Sequence, residues 1–331
     1  MPGPVLGDLS EEQVLAAVLP GFRSGADVLV PPGDDAAVLR VASGSVVATT
    51  DSMVRGRDWH DAWSSGHDVG VKVVAQNVAD VAAMGAVATA LLVALAADPA
   101  TPLAWVADLT AGIAAAAEDA GASVVGGDLS SAPDGLVVVA VTALGDLQGR
   151  SPVLRSGARP GDVVAVCGSL GWSGGGLAVL QGRARPGCAE PAREALTAYH
   201  RAPRPPWEAG PEAARAGATA MVDVSDGLVR DVGRVAAASG VTVALSAAAL
   251  RERFAGGPLL EVLGADEAWR QVLGGGEEHA LVATFPAGAA PEGGTRPWQV
   301  VGEVLAAPAG APRVTVDGAV PPVTGWDHFA R

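Results

Sequence analysis

The segment DVGVKVVAQNVADVAAMGAVATALLVALAAD, residues 68–98, sets the fold class of this chain. Valines recur there at the three-to-four-residue spacing of one helix face, at positions 71, 74, 78 and 81, which predicts a helix over 68–84. The apolar run 88–95 predicts a buried strand directly after it. The run 81–97 is short for a membrane span and is bracketed by Asp80 and Asp98, so we expect a helix leading into a strand rather than an anchor.

Helical and strand patterns alternate on both sides of this segment. Upstream, apolar positions at helical spacing over 9–20 follow Ser10, a candidate N-cap. Further strands are predicted at 28–30, 36–41, 46–50, 123–125, 136–144, 163–167 and 218–224, and further helices at 104–120 and in the segment that ends at 239.

Length and composition predict two α/β domains. A chain of 331 residues exceeds what one hydrophobic core usually supports. Hydrophobic residues make up 49% of the chain and aromatic residues only 4%, which suits mixed sheets covered by helices. The turn-rich segment RSGARPGD, residues 155–162, marks the boundary. We therefore expect an N-terminal α/β domain over 1–150 and a C-terminal α/β domain over 151–331.

The charge balance argues against a nucleic-acid partner. The chain has 22 basic and 36 acidic residues, a net charge of −14, and it contains no run of Lys and Arg. The first residues lack the charged and apolar regions of a signal peptide. The two cysteines, Cys167 and Cys188, have no metal-ligand spacing. These features predict a cytoplasmic protein without a membrane span.

The single lysine, Lys72, and the single asparagine, Asn77, lie five residues apart on the predicted helix. The 21 arginines indicate a GC-rich coding sequence, in which Lys and Asn are usually replaced. Either these are positions that the usual replacement cannot fill, or their proximity is coincidence. We expect Lys72 to lie in a salt bridge near Asp80 or, as the alternative, beside a phosphate.

Five short acidic motifs indicate metal-dependent phosphate chemistry. They are GDD at 33–35, TTD at 49–51, NVAD at 77–80, GGD at 126–128 and DVSDG at 223–227. Each lies next to the end of a predicted strand except NVAD, which lies within the predicted helix 68–84. One such motif alone is typical of a turn or a helix cap. Several converging carboxylates would repel one another without cations, and Mg²⁺ prefers such oxygen ligands. The sequence has no P-loop signature, and the glycine-rich stretch 168–176 is more typical of a tight strand–helix turn than of a phosphate cradle.

The ordered set of motifs resembles the thiamine-monophosphate kinase family of the aminoimidazole-ribotide-synthetase-like superfamily. The resemblance extends from about residue 28 to 329. It is carried by GDDAAVL (33–39), TTDSMVRGRDW (49–59), KVVAQNVADVAAMGA (72–86), GGDLSSAP (126–133), RSGARPGD (155–162), DVSDGLVRDVG (223–233), GGGEEHAL (274–281) and GWDHF (325–329).

The resemblance implies a two-domain α/β architecture with mixed sheets and a homodimer formed through the N-terminal domain. It also implies direct in-line transfer of the γ-phosphoryl group of ATP to thiamine phosphate, giving thiamine diphosphate, with several Mg²⁺ ions and no phospho-enzyme. The implied metal ligands are Asp35, Thr49, Thr50, Asp51, Asp80, Asp128, Asp223 and Asp226. The implied ATP contacts are Gly127, Asp128, Arg155 and Ser225, and the implied substrate contacts are Asp58, Glu277 and Trp326.

The implied substrate contacts suit a cationic thiazolium ring, since a carboxylate and an aromatic face both attract a cation. The alternative for Trp326 is an aromatic residue that covers the core, and the alternative for Arg155 is a salt bridge at the domain boundary. Asp34 is a doubtful ligand, because adjacent carboxylates on an extended chain point to opposite faces.

Two departures from the family pattern affect the expected substrate pocket. Asp58 stands where the family has His, so we expect Asp58, or His60 after a small shift, to contact the ligand. His279 stands where the family has Tyr, which would alter packing. The rival interpretations are a sister enzyme, such as an aminoimidazole ribotide synthetase or a selenophosphate synthetase, and a non-catalytic nucleotide- or metal-binding regulator.

Overall fold

The computed structural model describes residues 3–30, 37–292, 296–308 and 310–326, without the side chains of residues 11 and 12. The chain divides into two compact units. The first comprises Met1–Val81 and Val87–Gly149, and the second comprises Ala82–Ala86 and Arg150–Arg331.

The first unit contains a four-stranded mixed sheet, a separate pair of short strands and helices. Its strands are β1 (Val28–Val30), β2 (Val38–Leu39), β3 (Val47–Val54), β4 (Val87–Ala97), β5 (Ser123–Ser131) and β6 (Val137–Asp146). Its helices are α1 (Glu11–Val18), α2 (Gly66–Ala83) and α3 (Leu103–Asp119), with the last two residues of α2 belonging to the second unit. The sheet order is β3-β6-β4-β5, in which only β4 and β5 are parallel, and β1 pairs with β2 separately.

Helices α2 and α3 approach each other closely through glycines. A Cβ atom on Gly70 would lie 2.2 Å from the Leu109 carbonyl oxygen, and one on Gly112 would lie 2.1 Å from the His67 carbonyl oxygen. On the valine face of α2, Val74, Val78 and Val81 are buried, as the sequence predicts, and Val71 is half-buried. The opposite face of the sheet is more open: alternate side chains of β4 point there, and Leu92 is 39% exposed.

The second unit contains a six-stranded sheet of order β12-β9-β11-β7-β10-β8, in which only β12 and β9 are parallel. Its strands are β7 (Val163–Cys167), β8 (Ala220–Asp223), β9 (Val241–Leu245), β10 (Leu281–Phe285), β11 (Gln299–Ala306) and β12 (Val314–Val316). Its helices are α4 (Trp172–Leu180), α5 (Glu190–Arg201), α6 (Ala209–Arg215), α7 (Leu228–Ser239), α8 (Ala247–Phe254), α9 (Gly257–Leu263) and α10 (Ala265–Gly274). Its core consists mainly of Val, Leu and Ala side chains.

The predicted mixed α/β fold is confirmed, and so is the prediction that a helix leads into a strand across residues 81–97. Within the described part of the chain, no helix has the length and apolar character needed to cross a bilayer.

Two predicted strand ends are wrong. The strand expected to end at Thr50 continues to Val54, because its pairing with β6 continues through the acidic motif. The strand expected to end at Val125 continues to Ser131, because β4 pairs with it along that whole length. Asp51, Gly127 and Asp128 therefore lie inside strands rather than at strand ends.

Candidate functional site

In the first unit, β3 and α2 bring three predicted metal ligands together. The Thr49 hydroxyl donates to Asp80 Oδ2 over 2.7 Å, and Thr49 and Asp51 lie on the same face of β3. The Asp51 N–H donates to the Asn77 side-chain oxygen over 2.9 Å. Asn77 and Asp80 are three residues apart on α2 and so share one face of that helix. The strand and the helix together form an oxygen-rich group of side chains.

The asparagine Asn77 holds this arrangement. Its side chain is fully buried, and its amide nitrogen donates to the Val73 carbonyl over 2.7 Å while its oxygen accepts from Asp51. An aspartate at this position could accept from Asp51 but could not donate to Val73. The structure thus gives a physical reason for retaining this asparagine. Lys72 is also buried, at 3% exposure.

Thr50 points to the other face of the sheet. Its hydroxyl donates to the Val141 carbonyl over 3.0 Å and accepts from the Thr142 hydroxyl over 3.1 Å. Because side chains alternate along a strand, this hydroxyl cannot join the Thr49 and Asp51 side chains at one ion. A metal role for Thr50 remains a prediction, and at an ion shared with Thr49 and Asp51 it would have to use the main-chain oxygen.

Gly127 and Asp128 lie on β5, at the far edge of the sheet from β3. Asp51 pairs with Val141, Val141 pairs with Val93, and Val93 pairs with Gly127. Three strand spacings put Asp51 and Gly127 about 14 Å apart across the sheet. A Cβ atom on Gly127 would lie 1.9 Å from the Val93 carbonyl oxygen, so the packing of strands alone requires glycine there. The exposed Asp128 carboxylate accepts from the Ser130 hydroxyl over 2.7 Å.

The donors fit magnesium in type but do not form a complete protein cage. The predicted ligand Asp35 lies outside the described residues, as do Gly33 and Asp34. Among the residues that are described, no group of three or more His, Cys, Asp and Glu side chains could hold a metal ion. Carboxylate and hydroxyl oxygens suit Mg²⁺, which commonly takes a few carboxylates and completes its octahedron with phosphate oxygens and water.

In the second unit, the segment 223–227 is held by main-chain bonds from two other segments. The Glu277 N–H donates to the Ser225 carbonyl over 2.7 Å, and the Trp326 N–H donates to the Asp226 carbonyl over 2.8 Å. Gly227 has φ of 120°, and a Cβ atom there would lie 2.8 Å from the Gly274 backbone. The predicted ATP contact Ser225, the predicted ligand Asp226 and the predicted substrate contacts Glu277 and Trp326 are therefore neighbours.

Asp226 and Asp231 share one arginine. Arg234 Nη1 lies 2.5 Å from Asp231 Oδ1, and Arg234 Nη2 lies 2.5 Å from Asp226 Oδ2. Burial, followed by the negative charge of Asp223, raises the pKa of Asp231 to about 7, while Arg234 acts in the opposite direction.

His279 does more than alter packing, in contrast to the expectation for this departure from the family pattern. Its Nδ1 atom lies 3.1 Å from Asp223 Oδ2, and both side chains are almost fully buried. Both His279 and Glu277 have positive φ, 53° and 60°, which is uncommon for residues other than glycine. Such strained backbone occurs preferentially at functional sites.

The glycine-rich stretch 168–176 binds a protein carboxylate. The fully buried Glu278 accepts from the Ser173 N–H over 2.6 Å at the start of α4. Burial raises the pKa of Glu278 to about 8, although the main-chain N–H groups of Ser173 and Gly174 lower it. Because Glu278 takes the position that an anion would take at this helix end, the interpretation as a strand–helix turn holds.

A polar contact also connects α4 and α5 to Glu277. The Ser173 hydroxyl lies 3.0 Å from His200 Nδ1, and that nitrogen lies 3.6 Å from Glu277 Oε2. His200 and Ser173 are both buried. The predicted substrate contact Glu277 thus has a histidine beside its carboxylate.

The remaining predicted contacts have different surroundings. Arg155 is exposed, and its carbonyl accepts from the Ser239 hydroxyl over 2.8 Å, at the C-terminal end of α7. Asp226 precedes the N-terminal end of α7, whose 12 residues span about 18 Å. The Asp58 carboxylate accepts from the Val54 N–H over 2.7 Å and closes a turn, and Trp326 is 59% exposed.

Sequence analysis did not identify Asp231, Arg234 and His200 as part of the site. For the first two, a signal exists: Gly227, Asp231 and Arg234 follow one another at spacings of four and three residues, which is one face of a helix. For His200 the sequence offers no such signal, because α5, which carries it, is 77 residues from Glu277 along the chain and reaches it only in the folded protein.

Comparison with known proteins gives consistent results. Residues 33–147 match the family model for the AIR synthase related protein N-terminal domain, and residues 159–315 match that for its C-terminal domain. The chain is 45% identical over 330 residues to the thiamine-monophosphate kinase of Mycobacterium tuberculosis strain H37Rv, covering 99% of this chain and 94% of the relative.

Two solved structures have similar folds. The crystal structure of thiamine-monophosphate kinase from Stenotrophomonas maltophilia K279a superposes with a TM-score of 0.76 at 30% identity, covering 93% of this chain and 95% of that one. The structure of AaThiL complexed with AMPPCP and TMP superposes with a TM-score of 0.73 at 28% identity, covering 89% and 91%. The chain therefore belongs to the thiamine-monophosphate kinase family, with both domains of the AIR synthase related proteins.

Proposed function

We propose that this chain transfers the γ-phosphoryl group of ATP to thiamine phosphate, giving thiamine diphosphate and ADP, in the cytoplasm and in thiamine diphosphate biosynthesis. One observation carries the proposal. The segment 223–227, which contains two predicted metal ligands and a predicted ATP contact, is bonded through its main chain to Glu277 and Trp326, the predicted substrate contacts. The family membership and the AMPPCP and TMP found in AaThiL support it.

Each unit carries an oxygen-rich set suited to magnesium. Thr49, Asp51 and Asp80 would hold Mg²⁺ in the first unit. Asp128, three strands away, would hold a different ion, and Asp35 is a further proposed ligand. Asp223 and Asp226 would hold it in the second unit. When bound, Mg²⁺ would neutralise negative charge on the phosphate oxygens of ATP. This role suits a protein with net charge −14, which would otherwise repel a triphosphate.

The protein side chains would mainly orient the two substrates. No covalent intermediate is needed, because phosphoryl transfer depends on in-line positioning and charge stabilisation. Glu277 would attract the thiazolium cation, with Trp326 supplying an aromatic face beside it. Asp58 remains a candidate contact, although its carboxylate already closes a turn. Arg155 and Asp226 lie at opposite ends of α7. Arg155 would therefore contact a part of the nucleotide that is remote from Asp226.

A homodimer is part of the proposal. The open face of the sheet in the first unit carries Leu92 and Ala94, both exposed, with Thr50 and Thr142 bonded to each other, and the exposed Val46 directly precedes β3. Exposed apolar side chains clustered on one sheet face are typical of a surface that another chain covers. A second copy of this chain is the proposed occupant, and light scattering of the purified protein measures its mass directly.

The test of the reaction is product analysis with Mg-ATP and thiamine phosphate. Equal amounts of ADP and thiamine diphosphate are expected, with no product after EDTA treatment. ATP carrying a chiral γ-phosphate should give inverted stereochemistry, as one direct displacement requires. Turnover of ATP with a different acceptor would move the substrate assignment to a sister enzyme, and retention of configuration would contradict direct transfer.

A further inference from the structure

The start of α7 contains a buried carboxylate that binds the metal-site turn from behind. Asp231 is fully buried. Its Oδ2 atom accepts from the Asp226 N–H over 2.9 Å and from the Gly227 N–H over 3.1 Å. These amides precede the first turn of α7, where the main chain has no helical partner for its N–H groups. One side-chain oxygen therefore binds the N–H groups of the two peptide units on either side of the Asp226 Cα atom.

The other oxygen of Asp231 holds an arginine that reaches the Asp226 side chain. Arg234 contacts Asp231 Oδ1 with Nη1 and Asp226 Oδ2 with Nη2. A guanidinium group is a rigid planar fork, so these two contacts fix the plane of the Asp226 carboxylate relative to α7. Arg230 Nε lies 3.5 Å from the same Oδ2 atom. Both arginines thus meet one oxygen of Asp226, and a cation would be bound through Oδ1.

Three separate groups of Asp226 are held in this way. Its N–H is bound by Asp231, its carbonyl by the Trp326 N–H, and its side chain by Arg234. Fixing a ligand before the metal arrives removes the conformational entropy that binding would otherwise cost. Partners behind a metal ligand typically change metal affinity or activity by about 10- to 100-fold when they are removed.

We propose that Asp231 and Arg234 are positioning residues that set the orientation of the Asp226 carboxylate for metal binding. This inference rests on the metal role given to Asp226 in the proposed function. Asp231 acts through the backbone amides and through Arg234, while Arg234 acts on the carboxylate itself. A purely structural helix-start contact would stabilise the fold without altering the affinity for the metal, and this difference makes the two roles separable.

The experiment measures Mn²⁺ binding to the full-length protein by EPR in the presence of AMPPCP. Comparison with Asp226→Asn identifies the Mn²⁺ that depends on Asp226. Asp231→Asn should raise the Kd of that Mn²⁺ about 10-fold, because Asn keeps the acceptor oxygen but loses the charge that holds Arg234. Arg234→Met should have a similar effect on the Kd, and the Tm of each variant measures its separate effect on the fold, since Arg234 is also the partner of the buried Asp231 carboxylate. Arg234→Lys should not restore affinity, since a single ammonium group cannot reproduce the fork.

A matched control is Asp162→Asn, in the same unit. Asp162 is also buried, and its Oδ2 atom accepts from the Arg159 N–H and from the Thr219 hydroxyl. This variant should lower Tm while its Mn²⁺ Kd stays within about twofold. In steady-state assays, Asp231→Asn should raise the Mg²⁺ concentration needed for half-maximal rate and leave KM for thiamine phosphate unchanged.

Two results would overturn the inference. One is a Mn²⁺ Kd in both Asp231→Asn and Arg234→Met that lies within twofold of the Kd of the unsubstituted protein. The other is unchanged Mn²⁺ binding in Asp226→Asn, since there would then be no ligand to position. Failure of the proposed reaction is a separate result: without any thiamine diphosphate formed, the expected Mn²⁺ shifts would still support positioning of Asp226.

Discussion

In the first unit, Thr49, Asp51 and Asp80 take their positions from one strand and one helix. In the second unit, Ser225 and Asp226 take theirs from a loop that two other segments hold by main-chain hydrogen bonds. Regular elements position side chains through their own periodicity, whereas the loop depends on glycines, positive φ angles and a buried carboxylate. We therefore expect backbone substitutions to be most damaging in the second unit, and side-chain substitutions to matter more in the first.

The largest effect is expected for Gly227→Ala at the N-terminal end of α7. A Cβ atom there would lie 2.8 Å from the Gly274 backbone, and φ of 120° is strained for any L side chain. We expect a loss of about 3 kcal/mol of unfolding free energy or more, with activity lost as the loop moves. Urea denaturation and product formation measure the two effects.

Gly240→Ala is the matched control at the other end of the same helix. Gly240 has φ of 69°, but an added Cβ atom would meet nothing within 4 Å. Strain alone should cost about 1 kcal/mol there and leave activity in place. Equal losses in both variants would show that the contact with Gly274 is unimportant.

The next effect is expected for Asn77→Ala in the first unit. This variant removes the partner of the Asp51 N–H and leaves polar main-chain groups buried, which should cost about 2 kcal/mol. The Mg²⁺ dependence of the rate should also shift, because Asp51 loses its connection to α2. The neighbouring Gln76→Ala variant controls for loss of an amide side chain on α2, and a shift of equal size in both would contradict this role of Asn77.

The difference between regular elements and a loop held by distant segments also explains which features could be predicted from the sequence. Helix α2 follows from the valine spacing and the strand after it from the apolar run 88–95, and α7 ends at Ser239, where its helical pattern stops. The motifs also predicted Ser225, Asp226, Glu277 and Trp326 as site residues, and these four are neighbours in the structure. The sequence could not show that Asp51 lies mid-strand, because pairing with β6 decides where β3 ends.

Other features of the site depend on contacts between distant segments. No local sequence pattern indicates that the Glu278 side chain binds the N-terminal end of α4. The same holds for the position of His200 beside Glu277 and for the contact of His279 with Asp223. Each pair joins segments separated by more than 50 residues, so only the folded chain brings them together. The alternation of side chains on β3, by contrast, was available from the sequence and already argues against equal roles for Thr49 and Thr50.

A smaller effect concerns pH and the buried Glu278. Burial raises its pKa to about 8 in the folded protein, above the ordinary value of 4.5. Between these values the folded state holds a proton that the unfolded state has released, so stability should fall as pH rises from about 5 to about 8. Asp231, with a pKa of about 7, adds a slope of the same sign.

Glu278→Gln should flatten this dependence. The fall in Tm between pH 6 and pH 8 should be smaller in the variant by at least roughly 2 °C, with the contribution of Asp231 remaining. Scanning calorimetry at several pH values measures it. An identical pH profile in the two proteins would show that Glu278 is ionised throughout.

The smallest effect is expected for Thr50→Val. The Thr50 hydroxyl lies on the face of β3 opposite to Thr49, so its loss should change the rate by no more than about twofold. Thr49→Val removes the donor to Asp80 and should lower the rate about 10-fold. A larger loss in Thr50→Val than in Thr49→Val would contradict the assignment of the two faces.

The central claim is that the acidic residues of both units serve phosphoryl transfer to thiamine phosphate. The most direct measurement follows ADP and thiamine diphosphate together in the original protein, in Asp51→Asn and in Asp226→Asn, with Mg-ATP and thiamine phosphate. We expect equal amounts of both products from the original protein and a loss of at least about 100-fold in each variant. Full activity in either variant, or ATP turnover without thiamine diphosphate, would contradict the claim.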